Sequence, residues 1–364
     1  MPRARIPSLV RMAASLFALI CGLMLPERAA AAGCTVTLKA DGNTAAIQHA
    51  MDLPGTPVVC LRSGIYTGAR LMASKNAIVR NIGKERAVLD AGSQGRVLTV
   101  QQDGIHVTLE GLTLTQGTAL QGGAIALTQA SRLTLRDCWL TQNRATLHGG
   151  GAIYARAGRL ELIRTRVTHN AAERASAMDL TGNVQVRLVN TLIVDNNTLA
   201  TGDAPVRLSG DAKLDLVQST VAYNGGHGVF LQPGGPGISQ LRIDSSIVMG
   251  KPEAVAVLRS DANRVQIFRS VLHGGSGFVA LDLQTVRGLP GFNLVDAERY
   301  RPQAGSPAIG RGRCVGPDAG LDAAGVRRPT SCTAGALEAP AAEVRQTLRD
   351  RQVEARKKPK EDPW

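Results

Sequence analysis

The sequence has few aromatic residues, since tryptophan, tyrosine and phenylalanine together make up 3% of its 364 residues. Ordinary globular cores use more rings, so this scarcity argues against a conventional compact core. Glycine is abundant instead, with 40 residues. Many glycines and small or β-branched side chains favour a repetitive fold of short strands and tight corners.

Long hydrophobic runs are also scarce, and the one present is residues 12–25. Three arginines precede it and Ala30, Ala31 and Ala32 follow it, which is the order of a secretory signal. We therefore predict a signal peptide over residues 1–32. A membrane-spanning helix needs roughly 20 apolar residues, so the sequence predicts no integral membrane segment in the mature chain.

A lipoprotein is the alternative to simple cleavage, because Cys21 and Cys34 each follow small or apolar residues. Ile20 is too large for the residue before a lipidated cysteine, and Cys34 lies far beyond the apolar run. These two features favour simple cleavage.

Cysteine count is odd in the mature chain, because Cys21 leaves with the signal and five cysteines remain. In an oxidising compartment the economical pairing is Cys34 with Cys60 and Cys314 with Cys332, although the count alone leaves other connectivities open. Cys138 is then a free thiol, which we interpret as a small core residue rather than a reactive one.

A repeat dominates the middle of the chain. Gapless segments recur at steps of 24 to 28 residues, starting at Val107, Leu133, Leu160, Val186, Leu214, Leu241 and Val265. Positions one, three and eight of each segment are almost always aliphatic and position two is polar, and this alternation predicts a strand with one buried face. A second short strand is predicted near 124–127, 152–155, 177–180, 205–208, 228–231, 255–258 and 278–281.

The predicted fold is therefore an all-β, right-handed parallel β-helix, a single solenoid over residues 33–300. Asn43 and Thr44 are expected to cap a short helix ending at Met51, which covers the first coil through Ile47, Ala50 and Met51. Residues 301–339 are predicted to form a C-terminal lid over the far end. The tail, residues 340–364, is basic and is predicted to be disordered or weakly helical.

Two columns of equivalent positions are expected to form structural ladders inside the coils. The first contains small side chains at position six: Cys138, Thr165, Thr191, Ser219, Ser246 and Ser270. The second lies three residues after position eight: Asn143, Asn170, Asn196 and Asn224. Because asparagine tolerates a left-handed backbone, we expect the asparagine column to mark a repeated sharp corner.

Charged residues fall in compensated columns rather than in carboxylate clusters. Position two of successive repeats holds Glu161, Arg187, Asp215 and Arg242. At position four Glu110 is expected beside Arg136, and at position five Asp137 is expected beside Arg164. Polysaccharide hydrolysis needs two carboxyl groups roughly 5 to 9.5 Å apart. The only catalytic candidates are acids of the loops, Asp179, Asp195 and Asp203. His148, His169, His227 and His273 occupy different offsets, so no metal or cofactor is predicted.

Family-type motifs occur at residues 58–68, 109–114, 122–125 and 150–154, and in the closing stretches 305–309 and 335–338. Through these motifs the chain resembles secreted right-handed β-helix proteins of the pectin-lyase-like superfamily, of the bacterial cell-surface type. The resemblance implies the β-helix fold over about residues 41–339. The tripeptides Gly226-His227-Gly228 and Arg242-Ile243-Asp244 resemble short fragments of polygalacturonases. The paired aspartates of the polygalacturonases have no counterpart in this sequence.

Net charge gives the last clue, because the chain carries +13. Residues 1–32 hold four arginines and one glutamate, so the mature chain keeps +10. A basic exported surface attracts anionic polysaccharide or other envelope components, whereas nucleic acid is not expected without aromatic stacking platforms. We predict a monomeric, non-catalytic glycan-binding protein, secreted, periplasmic or on the surface of a bacterium. The alternatives are a polysaccharide lyase or glycoside hydrolase with loop-borne residues, and an adhesin or spacer.

Overall fold

The computed structural model describes residues 33–41, 44–200, 203–232, 237–258, 263–276, 279, 281–294, 299–314, 316, 318–329 and 331–357. The predicted signal peptide, residues 1–32, and Asn43 lie outside the described residues. Thr35–Trp364 form one compact unit. No helix in the described part of the chain is long and apolar enough to cross a membrane.

Three parallel sheets run along the chain, each receiving one strand per coil. Sheet 1 contains β1 (Val36–Leu38), β2 (Val58–Leu61), β5 (Ala77–Asn81), β8 (His106–Glu110), β12 (Arg132–Arg136), the second halves of β15 (Ile153–Ile163) and β18 (Met178–Val189), β22 (Lys213–Val217), β25 (Ser239–Asp244) and β28 (Asn263–Phe268). Sheet 2 contains β3 (Gly64–Thr67), β6 (Ala87–Asp90), β9 (Leu112–Thr115), β13 (Trp139–Thr141), β16 (Arg166–Thr168), β19 (Leu192–Val194), β23 (Thr220–Ala222), β26 (Ile247–Glu253), β29 (Val271–Gly275) and β30 (Val286–Arg287).

Sheet 3 contains β4 (Leu71–Ala73), β7 (Leu98–Val100), β11 (Ile125–Leu127), the first halves of β15 and β18, β21 (Val206–Leu208), β24 (Val229–Leu231) and β27 (Val255–Val257). A small parallel sheet between sheets 2 and 3 contains β10 (Thr118–Ala119), β14 (Arg144–Ala145), β17 (Ala171–Ala172) and β20 (Asn197–Thr198). The antiparallel pair β31 (Gly312–Arg313) and β32 (Ser331–Cys332) and the helices α1 (Ala45–Met51) and α2 (Ala341–Lys357) complete the described elements.

The register confirms the right-handed parallel β-helix predicted from the repeat. Leu133 lies beside Val107 and Leu160, and Leu160 lies beside Val186, so the starts of successive repeats are neighbours in sheet 1. The aliphatic residues at positions one and three point into a continuous buried core, while the polar residues between them face outward. The second predicted strand corresponds to sheet 3 in the described coils; residues 278 and 280 lie outside the described residues.

Both predicted ladders are buried at the two ends of the sheet 2 strands. In the asparagine ladder, the backbone N–H of Asn143 donates to Oδ1 of Asn170 at 3.0 Å, and that of Asn170 donates to Oδ1 of Asn196 at 3.0 Å. Each described amide also donates to carbonyls of its own coil and the preceding coil, as Asn170 does to Leu140 at 2.9 Å. The ladder thereby satisfies polar backbone groups that would otherwise be buried without partners.

The prediction that the asparagines themselves adopt the left-handed backbone is wrong. The residues with positive φ are those immediately before them: Gln142, His169, Asp195 and Tyr223. The left-handed residue turns the chain, and this turn directs the next side chain inward, where the amide can bond to two coils. The hydroxyl ladder is built in the same way, because Asp137, Arg164, Asn190, Gln218, Ser245 and Arg269 precede its members with positive φ.

Helix α1 covers the first coil as predicted, with Ile47, Ala50 and Met51 buried. Thr44 precedes the helix but makes no side-chain capping hydrogen bond, contrary to expectation. Its backbone is already helical, with φ −74° and ψ −17°, whereas a side-chain cap normally requires an extended residue. The amide of Ile47 bonds instead to the Thr44 carbonyl at 3.0 Å.

The C-terminal segment, by which we mean the described residues from 292 to 339, lies along the outside of sheet 2 and includes residues 301–339, predicted as an end lid. Phe292, Tyr300 and Leu337 pack with outward side chains of the last four coils, including Leu192 and Ile247. The amide of Ala336 donates to Oγ1 of Thr220 at 2.9 Å, and Gly335 donates to the Ser245 carbonyl at 2.8 Å. The segment therefore covers the side of the solenoid where its outer surface is apolar.

Of the two states expected for the tail, disordered or weakly helical, its described part is helical, because Ala341–Lys357 form α2. Its composition of alanine, glutamate and arginine suits a helix. Thr347 accepts a hydrogen bond from the Gly305 amide at 2.9 Å, and Arg351 donates to the carbonyls of Ser306 and Ile309 at 2.9 and 2.8 Å. These contacts fix the helix to the C-terminal segment.

Cysteine chemistry separates into bonded and free residues. Cys314 is disulfide-bonded to Cys332, and Cys34 and Cys60 are each in a disulfide bond. The Cys34 thiol is therefore not free for lipidation. Cys138 is a buried free thiol within the hydroxyl ladder, and burial raises its pKa to about 12.

Candidate functional site

The outward face of sheet 1 presents two parallel columns of polar side chains, which we call column A and column B. The register places the members of each column in successive coils. Column A contains Arg132, Arg159, Gln185, Lys213, Gln240 and Arg264. Column B, two residues further along each strand, contains Thr134, Glu161, Arg187, Asp215, Arg242 and Gln266.

The last five members of each column line an open groove of about 520 Å³. Its lining includes five cationic and two acidic side chains, an excess of three positive charges. A second depression of about 560 Å³ continues toward the first coils and includes His106, Arg132 and Arg159. Burial and the nearby Arg132 charge lower the pKa of His106, so the imidazole is neutral at neutral pH.

Most groove charges are left available to a ligand. In column B, acidic and basic side chains alternate from Glu161 to Arg242, as the sequence predicts. Among the described residues, no ion pair joins a side chain of column A to one of column B. Arg159 donates to the Gln185 amide oxygen at 3.2 Å, and Arg242 pairs with Asp244, outside both columns, at 2.7 Å. The groove therefore combines a fixed charge pattern with few internal salt bridges.

The C-terminal segment forms one edge of this groove. Arg136 pairs with Asp318 at 3.0 Å, and Asn190 donates to the Asp318 carbonyl at 2.8 Å. Glu110 lies beside Arg136 in the register of sheet 1, as expected, and its carboxylate pairs with Arg80 of the preceding coil at 3.3 Å. The expected pair of Asp137 and Arg164 is present at 2.8 Å.

A second polar site, which we call the Asp179 cluster, lies on the outward face of sheet 3. The register stacks Tyr154, Asp179, Arg207 and Phe230 in four successive coils. Asp203, just before β21, pairs with Arg207 at 3.7 Å. The structure thus brings two of the three predicted acids, Asp179 and Asp203, to one place.

The two carboxyl groups of the cluster have different surroundings. Burial is the main cause that raises the pKa of Asp179 to about 6; the Arg207 charge opposes this rise, and the Asp203 charge contributes to it. Gly149 passes so close that a Cβ there would lie 2.5 Å from Oδ2 of Asp179. In contrast, Asp203 accepts a hydrogen bond from the Ala204 amide at 2.7 Å.

Aromatic and imidazole groups extend the Asp179 cluster toward the next coil. His227 stacks on Phe230 with ring centroids 5.8 Å apart, and its Nδ1 is 3.7 Å from a Glu253 oxygen. The His227 amide donates to the Asp203 carbonyl at 2.9 Å. His148 lies near Asp179, and its charge lowers the pKa of the Asp179 carboxyl. This cluster contains the kinds of side chain that bind or protonate a sugar.

Asp195, the third predicted acid, belongs to a different surface. It follows β19 in sheet 2, where its carboxylate accepts a hydrogen bond from the Tyr300 hydroxyl and lies 3.8 Å from Arg299. Burial, then the Asp195 contact, raises the pKa of Tyr300. Asp195 therefore anchors the C-terminal segment to the solenoid.

Sequence reasoning missed column A, although its signal was present. These residues stand one position before each aligned repeat start, where the sequence reads Arg132, Arg159, Gln185, Lys213, Gln240 and Arg264. Their alternation with the inward residue at position one would have placed them on the outer face.

Comparisons with known proteins give a fold-level likeness. No family model matches the chain, and no curated protein matches it. Among solved structures, a pectin methylesterase from carrot aligns with a TM-score of 0.45 and 13% sequence identity, covering 71% of this chain and 92% of that chain.

Proposed function

We propose that this chain is an exported, non-catalytic protein that binds an anionic polysaccharide or a similar envelope component along the groove of sheet 1. The observation that carries the proposal is column A. Four of its six described members are cationic, Arg132, Arg159, Lys213 and Arg264, the other two are glutamines, and none is acidic.

The spacing of these charges suits a polymer rather than a small ligand. Strands of adjacent coils are roughly 4.8 Å apart, so column A from Arg132 to Arg264 extends over roughly 24 Å. Exposed cations on one face produce a field that attracts polyanions and is screened by salt. A linear ligand lying across the strands would meet one coil after another.

Two observations support export. Four cysteines are disulfide-bonded, and such bonds persist in oxidising compartments. The N-terminal sequence has the order of a secretory signal. We propose the periplasm or the surface of a bacterium as the location, and a monomer as the binding species.

The test is direct binding of the mature protein to polyuronate and to neutral glucan at low and high salt. We expect salt-sensitive binding to polyuronate alone. A triple variant of column A, R159Q, K213Q and R264Q, should weaken it at least tenfold. The matched control removes three exposed cations elsewhere, K39Q, R62Q and K84Q. Equal loss in both triple variants would refute a localised site.

A second candidate function is polysaccharide cleavage by a lyase or glycoside hydrolase at the Asp179 cluster. The specific observation is that Asp179, with a pKa raised to about 6, lies in the field of Asp203. A carboxyl group with a raised pKa beside a second carboxyl group is the arrangement used for acid catalysis of glycosidic cleavage. Release of reducing or unsaturated ends that disappears in both D179N and D203N would establish this activity and overturn the non-catalytic proposal.

A further inference from the structure

From the coil of β15 to that of β28, columns A and B alternate with a period of two coils. In the coils of β15 and β22, column A holds a cation and column B an acid: Arg159 with Glu161, and Lys213 with Asp215. In the coils of β18 and β25, column A holds a glutamine and column B an arginine: Gln185 with Arg187, and Gln240 with Arg242. The coil of β28 returns to a cation in column A, Arg264.

The positive charges therefore form a zigzag with one cation per coil. Successive cations lie on opposite sides of the groove, in the order Arg159, Arg187, Lys213, Arg242 and Arg264. Successive cations on one side are two coils apart, roughly 9.6 Å. The columns are separated by two residues along each strand, roughly 6.6 Å.

This zigzag has the symmetry of a flat polymer ribbon with a two-fold screw axis. In such a ribbon each sugar is turned over relative to the one before it, so its charged group and its hydroxyl edge exchange sides. An extended 1,4-linked hexose advances by nearly the rise of one coil. A ribbon lying along the solenoid axis would therefore present one anion to each coil, on alternating sides.

The uncharged and acidic members of the columns fit the other edge of the same ribbon. Where an anion faces Arg159 or Lys213, the opposite hydroxyl edge faces Glu161 or Asp215, and a carboxylate accepts hydrogen bonds from hydroxyls. In the intervening coils the hydroxyl edge faces Gln185 or Gln240, which can both donate and accept. The two acids are thus compatible with an anionic ligand because they face its neutral edge.

We infer that the sheet 1 groove selects an extended, ribbon-like polyanion whose successive charged groups point to opposite sides, in register with the coils. This inference rests on the proposed function, and it adds the geometry of the ligand. It predicts discrimination between polymers of similar charge density according to the side on which their charges lie.

Three probes of equal length separate the geometries, and their binding is measured at one salt concentration by calorimetry. Hexamers of β-1,4-linked glucuronate form a ribbon with alternating carboxylates. Hexamers of α-1,4-linked galacturonate have the same charge on a chain bent at each linkage, and hyaluronan hexamers carry a carboxylate on every second sugar. We expect the glucuronate hexamer to bind at least tenfold more tightly than either comparator.

A charge-neutral exchange tests the zigzag itself. The double variant Q185R/R187Q moves one cation from column B to column A and leaves the net charge of the groove unchanged. We expect it to lose about tenfold in affinity for the glucuronate hexamer, while the charge-neutral exchange K84E/E85K, at exposed residues outside the groove, retains wild-type affinity. Unchanged circular dichroism and unfolding midpoint verify that the exposed exchange preserves the fold.

The outcomes distinguish the inference from the proposed function. If none of the three hexamers binds, the proposed polyanion-binding function is refuted together with the inference. If all three bind equally, or if Q185R/R187Q binds as tightly as wild type, the zigzag selection is refuted while anion binding stands. Preference for glucuronate that the exchange removes supports both.

Discussion

Replacement of Asp179 by asparagine should stabilise the protein at neutral and alkaline pH. Burial raises the pKa of this carboxyl to about 6 from its ordinary value of 3.8. Below about pH 4 the group is protonated in both the folded and the unfolded chain. As the pH rises from there to about 6, the unfolded chain loses this proton first, so ionisation favours unfolding, and above that range the penalty is complete.

The magnitude follows from the size of this shift. Each unit of difference between folded and unfolded pKa corresponds to about 1.4 kcal/mol, so a shift of about two units gives on the order of 3 kcal/mol. An asparagine side chain cannot ionise, so the D179N variant escapes this penalty. We expect it to be more stable than wild type by up to about 3 kcal/mol at pH 8, and by less than about 1 kcal/mol at pH 4.

Urea unfolding followed by circular dichroism at pH 4, 6 and 8 measures the effect. The matched control is D203N, because Asp203 pairs with Arg207 at 3.7 Å and accepts the Ala204 amide at 2.7 Å. Removing that charge should destabilise the protein at pH 8, which is the opposite sign. A D179N variant less stable than wild type at pH 8 would show that Asp179 contributes as an ion and would refute the argument.

Two further predictions concern the ladders. N170A should destabilise the protein by on the order of 4 kcal/mol in urea unfolding, because the hydrogen bonds of the Asn170 side chain with Asn143, Leu140 and Asn196 are buried and their loss leaves polar groups without partners. N224A, at the half-buried end of the ladder, should lower the free energy of unfolding by less than half as much. Equal losses in the two variants would contradict the cooperative ladder. Cys138 should resist iodoacetamide at pH 8 in the folded protein and react after unfolding, because its thiol is buried and its pKa is raised to about 12. Mass spectrometry measures the labelling, and rapid labelling of the folded protein would place this thiol at the surface.

The coil architecture could be predicted because its physical cause is repeated in every coil. Alternating aliphatic residues such as Leu160 and Leu162 specify a strand with one buried face, and recurrence at about 26 residues places equivalent strands side by side. Gly-rich corners and small ladder residues have the same period. Each coil therefore supplies independent evidence for the same structure.

The Asp179 cluster could not be predicted from offsets, because loop lengths vary between the asparagine corner and sheet 3. Asp179 lies 19 residues after its repeat start at Leu160, whereas Asp203 lies 17 residues after Val186. Asp179, predicted as a loop residue, lies in β18, whereas Asp203 lies in the loop before β21, so the two acids meet in space although their offsets are unequal. A search for equal offsets detects ladders but misses such pairs.

The course of the C-terminal segment had a sequence signal of a different kind. In one outward column of sheet 2, Thr141 and Thr168 of the earlier coils are followed by the apolar Val194 and Ala222 of the later coils. An outward apolar stripe on a solenoid is removed from contact with water only when another element covers it. The transition therefore predicts a covering element on sheet 2, but it does not identify which part of the chain supplies it.

This covering determines which surfaces are left for a ligand. Over the last coils, sheet 2 is occupied by the C-terminal segment, while the groove of sheet 1 and the Asp179 cluster on sheet 3 face outward. Asp318 brings the segment to the edge of the groove through Arg136. Binding along sheet 1 and chemistry on sheet 3 depend on different side chains, so loss of binding in the column A variant and loss of cleavage in D179N are independent results. The column A variant therefore tests glycan binding along sheet 1, and D179N tests polysaccharide cleavage at the Asp179 cluster. The result for one function does not decide the other.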